Sequence, residues 1–377
     1  MLLFSRIIAL SSVLSLASLA ACASLSDEAA TDDAALSSDG LGEELEQNEA
    51  ALVDQIARAA ASQVEKSKSE TGKAQRDAHP KAHGCVTGSF TVSSQVPADL
   101  AVGTFRPDRH YDAWIRFSNG SKDDDREKDA RGMAIKLLGV DGPRLLTGEE
   151  PTAHTHDIVL SNHHTFFLKD VSTYVKFMNQ VVEKGNPLKF FVSLNPLDWH
   201  LREAILAREF TSQKISSPLT SQYWSVTPYK LGNQAVKYSM RPCAGADTDG
   251  KHADDPNYLS TALKDGLRND GACFEFMIQR RTDARRMPVE DVTKTWDEDD
   301  SPFEPIARLE IPPQTFDSPE QQKFCENLSF TPWHGTPDHR PLGRINRTRK
   351  VVYEATSAAR HRLNGVRRDE PTDLVVR

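Results

Sequence analysis

Three residues near the C-terminus have types and spacing that could do chemistry. Arg349, Tyr353 and Arg360 are separated by four and then seven positions. At ~100° per residue they fall within about 40° of one direction on a helix. A guanidinium one turn from a phenol favours the phenolate, a hard anionic ligand for ferric iron. The same pattern also describes a solvated basic face around a core tyrosine. A second group lies in the strand-like WIRFSNG, where Arg116 and Ser118 stand two apart and so share a face. A third is RDAHPK, which sets Arg76 three residues before His79. A hydroxyl on one ring nitrogen fixes a histidine's orientation. Arginines from separate segments suit a pair of carboxylates, because the planar fork matches that group.

The elements that must carry these residues alternate in texture. Residues 43–68 place Leu45, Leu52, Ile56, Ala59, Ala60 and Val64 near helical spacing, which predicts an amphipathic helix. From about residue 84 the segments GSFTVSS, YDAWIRFS, GMAIKLLGV and HDIVLSN are short, β-rich and separated by turns. Helical runs follow in DVSTYVKFMNQVVEKG and PLDWHLREAILAREF. Strands resume in NQAVKYSMRP, ACFEFMIQRR and IARLEIPPQ, and the chain turns helical again in RINRTRKVVYEATSAARHRLNG. Strands in the middle and helices at both ends imply α+β with an antiparallel sheet or barrel. There is no internal repeat, and neither GxGxxG nor GxxxxGK[ST] occurs, so nucleotide folds gain no support.

The chain has 377 residues and a formal net charge of −8, which argues against a general nucleic-acid binder. Residues 1–21 carry Arg6, an apolar stretch from Ile7 to Leu19, and then Leu19-Ala20-Ala21 before Cys22. The stretch is too short for a comfortable span, which takes ~20 apolar residues. It resembles a bacterial lipoprotein signal peptide with Cys22 as the lipidated residue, the alternative being an ordinary signal peptide. Lipidation would make the protein an exported, membrane-anchored lipoprotein, periplasmic or at the cell surface, and Ala23 would favour an outer membrane where one exists. Residues 22–42 are rich in Ala, Ser and Asp and lack aromatics, which reads as a disordered acidic tether. Residues 43–377 remain for one domain. Of the other cysteines, Cys243 and Cys273 flank a loop-like stretch and are the expected bridge in an oxidising compartment; the alternative is that these two, Cys85 and Cys325 are all free thiols.

Taken together, six blocks resemble the haem catalase family, in that family's order: RDAHPK, IRFSNG, DARGMAIKL, DIVLSNHHTFFLKD, FTPWH and RKVVY. The closest resemblance is to short bacterial catalase-related haem proteins. It implies a catalase-type antiparallel β-barrel with surrounding helices and no C-terminal flavodoxin-like domain. It also implies haem b and a peroxidase or weak catalase acting on hydrogen peroxide or an organic hydroperoxide. By the same resemblance Tyr353 would be the axial iron ligand and Arg349 its charge partner. His79 would be the distal acid–base, Ser118 its orienting partner and Asn162 the amide that positions peroxide. Arg76, Arg116 and Arg360 would clamp the haem propionates, with Phe167 and Tyr174 as rings near the haem. The family also leads one to expect a homo-oligomer.

The chain departs from the family at three points. His79 is followed by Pro-Lys-Ala-His-Gly, one residue longer than the family spacing, so His83 is an alternative distal histidine. His163-His164 stands where catalases have Thr-Pro, and Ala355 stands where they have Asp. Conversion of fatty-acid hydroperoxides and non-enzymatic haem binding are the other readings. A non-haem metal site built from His154, His156, Asp157, His163 and His164 is a third.

Overall fold

The computed structural model describes residues 40–146, 154–193, 195–245 and 254–376. The expected signal peptide, Cys22 and most of the acidic stretch, residues 1–39, lie outside the described residues. The helices are α1 (Glu49–Thr71), α2 (Val171–Lys184), α3 (Leu188–Phe191), α4 (Leu201–Thr211), α5 (Tyr258–Asn269), α6 (Pro319–Asn327) and α7 (Arg344–Asn364). The strands are β1 (Ala82–Val92), β2 (His110–Asn119), β3 (Arg131–Leu138), β4 (Thr155–Ser161), β5 (Tyr223–Trp224), β6 (Tyr229–Leu231), β7 (Gln234–Pro242), β8 (Ala272–Arg280) and β9 (Glu304–Ile311).

All pairings are antiparallel. The ring β1-β2-β3-β4-β5-β7-β8-β9 closes on itself because β5 pairs with both β4 and β7, and β6 is a short hairpin partner of β7. Eight strands make a barrel whose interior side chains fill. Val86, Phe90, Ala113, Ile115, Phe117, Ile135, Tyr238 and Phe276 form that core. Alternation then sends the neighbours outward: Trp114 packs on Phe324 and Leu328 in a separate cluster, and Arg116 and Ser118 share its face.

Helices α1, α2 and α7 pack together over the barrel through Val53, Ile56, Ala60, Val171, Val175, Met178 and Val352. The expected first helix starts at Glu49 rather than near residue 43, and Leu45 is exposed. The physical reason is that the preceding glutamates are held elsewhere. Glu43 pairs with Arg340 and Arg347, and Glu46 accepts the Val171 and Ser172 N–H groups at 2.9 and 3.1 Å. Leu41 is itself buried with Met287, Val289, Trp296 and Leu342, so the packed chain reaches two residues further back than the expected boundary at 42/43. Cys243 and Cys273 form a disulfide between the ends of β7 and β8, with their Cα atoms 5.6 Å apart, while Cys85 and Cys325 are free and buried. After α7 the described residues run back along the barrel, where the Trp114 indole donates to the Asp373 carbonyl at 3.1 Å.

Candidate haem cleft

A cleft with a cavity volume of ≈ 120 Å³ lies between α7 and the outer face of β2, β3 and β4. That is smaller than the ~300–1,000 Å³ of most ligand pockets, so the lining residues rather than the volume carry the argument. Arg76, His79, Arg116, Ser118, Tyr353 and Arg360 all line it.

His79 is held from several sides. Its backbone is left-handed, with φ 59°, a conformation uncommon for a non-glycine residue and kept only where the surroundings enforce it. The enforcing contacts are its N–H donating to the Gly120 carbonyl at 2.8 Å and its C=O accepting from Arg116 Nη2 at 2.8 Å. Its Nδ1 lies 3.1 Å from Ser118 Oγ. Gly132 makes room for this pair: a Cβ there would come within 2.6 Å of the His79 ring and 2.9 Å of Ser118 Oγ. Burial, with Arg116 nearby, pushes the imidazole down to about 4, so the ring is neutral near neutral pH.

On the opposite wall Arg349 Nη2 donates to Tyr353 Oη at 3.1 Å, one helical turn apart as the spacing requires. Arg349 is itself fixed by Asn346 Oδ1 at 3.1 Å and Thr227 Oγ1 at 3.3 Å. Sequence reasoning missed both; Asn346, three residues earlier on the same helix, was the available signal.

The third feature is a cationic cluster. Arg76 donates to the Leu328 carbonyl at 2.6 Å and pairs with Glu326 at 3.1 Å. Arg360 donates to the Leu328 carbonyl at 3.2 Å and to the Glu326 carbonyl. Arg116 completes the group, and its buried Nε has no hydrogen-bond partner among the described residues. Burial, and then the charge of Arg76, lowers Arg116 to about 10 and Arg360 to about 9. Three guanidinium groups face one carboxylate, Glu326. The cluster therefore carries a surplus of two positive charges, which fits a dianionic group such as the two propionates of haem.

Other expected residues stand outside the cleft lining. Asn162, just after β4, accepts the Arg131 N–H on its Oδ1 at 2.7 Å, beside the Gly132 that abuts His79. Phe167 packs among Phe166, Phe177 and Phe210. Tyr174 belongs to the same cluster and to the helical layer, and burial pushes its phenol well above the usual range. His83 is buried 3.8 Å from Asp125 and lines a different groove with Cys85 and Cys325, so His79 is the histidine that shares a cleft with Tyr353. Asp77, which the sequence reading passed over, also lines the cleft, and burial pushes its carboxyl up to about 6.

The histidines of the non-haem metal reading disperse. His154 meets Arg144, His156 meets Thr104 and His339, and His163 stacks on His164 beside Phe210. Asp157, His334 and Glu370 do converge, but the Lys136 ammonium lies 2.7 Å from Asp157 and pairs with Glu370, so a cation already occupies that centre.

Similarity to known proteins agrees with this architecture. No family model matches the chain. It is 23% identical over 306 residues to a catalase of an Onchocerca volvulus endobacterium and 24% identical over 303 residues to catalase A of Pseudomonas putida, in each case over 72% of its length. The chain is a distant homologue of catalases. It spans 59% and 60% of the length of those two relatives. Among solved structures it is similar to catalase A of Saccharomyces cerevisiae, with a TM-score of 0.58 at 18% identity over 78% of this chain and 62% of that one. A fungal catalase gives a TM-score of 0.60 at 18% identity over 78% of this chain and 60% of that one. The eight-stranded barrel with its helices is thus the catalase fold.

Proposed function

We propose that the protein is a haem-dependent oxidoreductase that metabolises peroxides, as a peroxidase or weak catalase. One observation carries this reading: a single cleft holds an arginine-braced tyrosine, a serine-oriented histidine and an arginine cluster with two charges to spare. Tyr353 would hold the iron of haem b, with Arg349 stabilising the phenolate, and Arg76, Arg116 and Arg360 would hold the propionates. Bound haem supplies the two-electron redox chemistry and the Lewis acidity.

The chain's own residues handle the proton and the orientation. Neutral His79 takes the proton from the near oxygen of the peroxide on Nε2 and returns it to the far oxygen, making water or an alcohol the leaving group. Ser118, on Nδ1, keeps the ring in the orientation for that transfer. Asn162, outside the cleft lining but held beside Gly132 by the Arg131 N–H, would have its amide NH2 left to donate to peroxide only if its side chain reached the cleft. Proton transfer of this kind contributes ~10²–10⁴-fold. Oxygen release from hydrogen peroxide, measured beside oxidation of an organic donor, separates catalase from peroxidase behaviour. Neither signal in haem-loaded protein would sink both.

Anchoring through Cys22 belongs to the same reading, which makes the protein an exported lipoprotein. Mass spectrometry of the mature N-terminus tests it: a diacylated Cys22 is expected, and an unmodified chain cleaved elsewhere contradicts it.

A further inference from the structure

The described residues expose nine large apolar side chains, and six of them fall in one stretch between residues 188 and 205. Leu188 is 70% exposed, Leu197 92% and Ile205 61%; Val192, Trp199 and Leu201 complete the set. Leu188 lies on α3, Leu197 on the turn Pro196–Asp198, and Leu201 and Ile205 on α4, while Val192 and Trp199 directly follow α3 and the turn. The stretch is not loosely held. Phe190 is buried on its inner side, in edge contact with Phe177 and Phe191 and stacked on His200. The Trp199 indole N–H donates to the Ser193 carbonyl at 2.8 Å, which fixes the ring at the surface. So the apolar side chains that face out do so over a packed aromatic base. Exposed large apolar side chains concentrated in one stretch mark an interaction surface.

We propose that this face docks into the surface of a lipid bilayer. The proposal rests on the reading of Cys22 as a membrane anchor and is independent of the haem. Three observations favour lipid as the occupant. The first is composition: Leu, Ile, Val and Trp side chains above flanking basic residues is the make-up of interfacial helices. The second is charge. Between Lys176 and Lys214 there are six basic and four acidic residues, a local surplus of two positive charges in a chain of −8, complementary to anionic headgroups.

The third is the position of the chain's entry. Seventeen residues separate Cys22 from Gly40, a reach of at most ~60 Å if fully extended. The segment after Gly40 is fixed close to the patch. Glu46 binds the N-terminus of α2, which leads to α3. The Glu44 N–H donates to Glu290, and Arg202 of α4 donates to Thr293, three residues further on. An anchor at Cys22 would therefore hold the protein within ~60 Å of the membrane, with its entry segment bonded to the same 290–293 stretch that α4 bonds.

The test is lipid photolabelling. The full chain, loaded with haem, is mixed with vesicles of phosphatidylethanolamine and phosphatidylglycerol that contain a lipid with a diazirine in its acyl chain. After irradiation, adducts are mapped by mass spectrometry. They are expected to concentrate in residues 188–205 and to fall about tenfold or more there in L197E/I205E, whose side chains are exposed and leave the core untouched. Adducts spread over the surface, adducts confined to residues 1–39, or a pattern unchanged in L197E/I205E would each overturn the proposal. So would crosslinks joining two chains through residues 188–205, which would make a second copy the occupant. The absorption spectrum of the same samples reports on the haem separately, so either reading can fail alone.

Discussion

The proton chemistry depends on a histidine in a conformation that histidines rarely adopt, and that cost is met by specific neighbours. His79→Ala is expected to lower peroxide turnover ~10²–10⁴-fold with haem retained. Ser118→Ala is expected to lower it less, since the ring would stay in place with a looser orientation. Gly132→Ala is the sharper probe, because its methyl group would enter the space of the His79 ring; turnover should fall although no reacting group is removed. Stopped-flow peroxide consumption measures all three. With His79 pushed down to about 4, activity should be level above about pH 5 and fall as the pH drops through about 4, where the ring gains a proton. A fall near pH 6.5 instead would mean that the ring is not buried as described. At this scale the sequence was half legible. Arg349 and Tyr353 meet because a helix brings together positions four apart. The left-handed backbone at His79, the convergence of Arg76 and Arg360 on Leu328 and Glu326, and the bond from Arg116 to the His79 carbonyl depend on long-range packing that no local spacing reveals.

The elements that position these residues were legible where their pattern was long. β2, β3, β4, β7, β8 and β9 fall on the β-rich segments that the sequence sets between turns, whereas β5 and β6 have two and three residues, too few to stand out. Helix α5 was missed although Leu259, Leu263 and Leu267 lie at helical spacing, and all three are buried. The start of α1 was misplaced because ion pairs, not helix propensity, decide it. Arg347 bonds Glu49 at 2.6 Å and pairs with Glu43 and Glu290 at 3.0 Å. Arg347→Met would leave partly buried Glu49 without an arginine, while Glu43 keeps Arg340 and Glu290 keeps Arg344, and is expected to cost about 3 kcal/mol, seen as a lower urea midpoint and faster amide exchange over residues 40–48. The disulfide between β7 and β8 spans 30 residues. By loop entropy the C243S/C273S variant should lose about 3–4 kcal/mol, with the cleft and its spectrum unchanged.

The whole molecule should be sensitive to acid. His79 and His156 each have a folded value of about 4 against the ordinary 6.5, in both cases chiefly because burial disfavours the charged ring. Between those values the unfolded chain binds more protons than the folded one, so stability falls as pH falls through the window from 6.5 to 4. The urea midpoint should be lower at pH 5 than at pH 7, and an unchanged midpoint would contradict the burial of both rings. The scale of the molecule also frames its function. The chain matches about three fifths of the length of its catalase relatives.

The central claim is that Tyr353 holds a haem in this cleft, and the absorption spectrum of haem-reconstituted protein tests it most directly. A Soret band of a high-spin, tyrosinate-ligated ferric haem is expected, bound in equal amount to protein and lost or shifted in Tyr353→Phe. A protein that takes up no haem, or a band that Tyr353→Phe leaves unchanged, would contradict it.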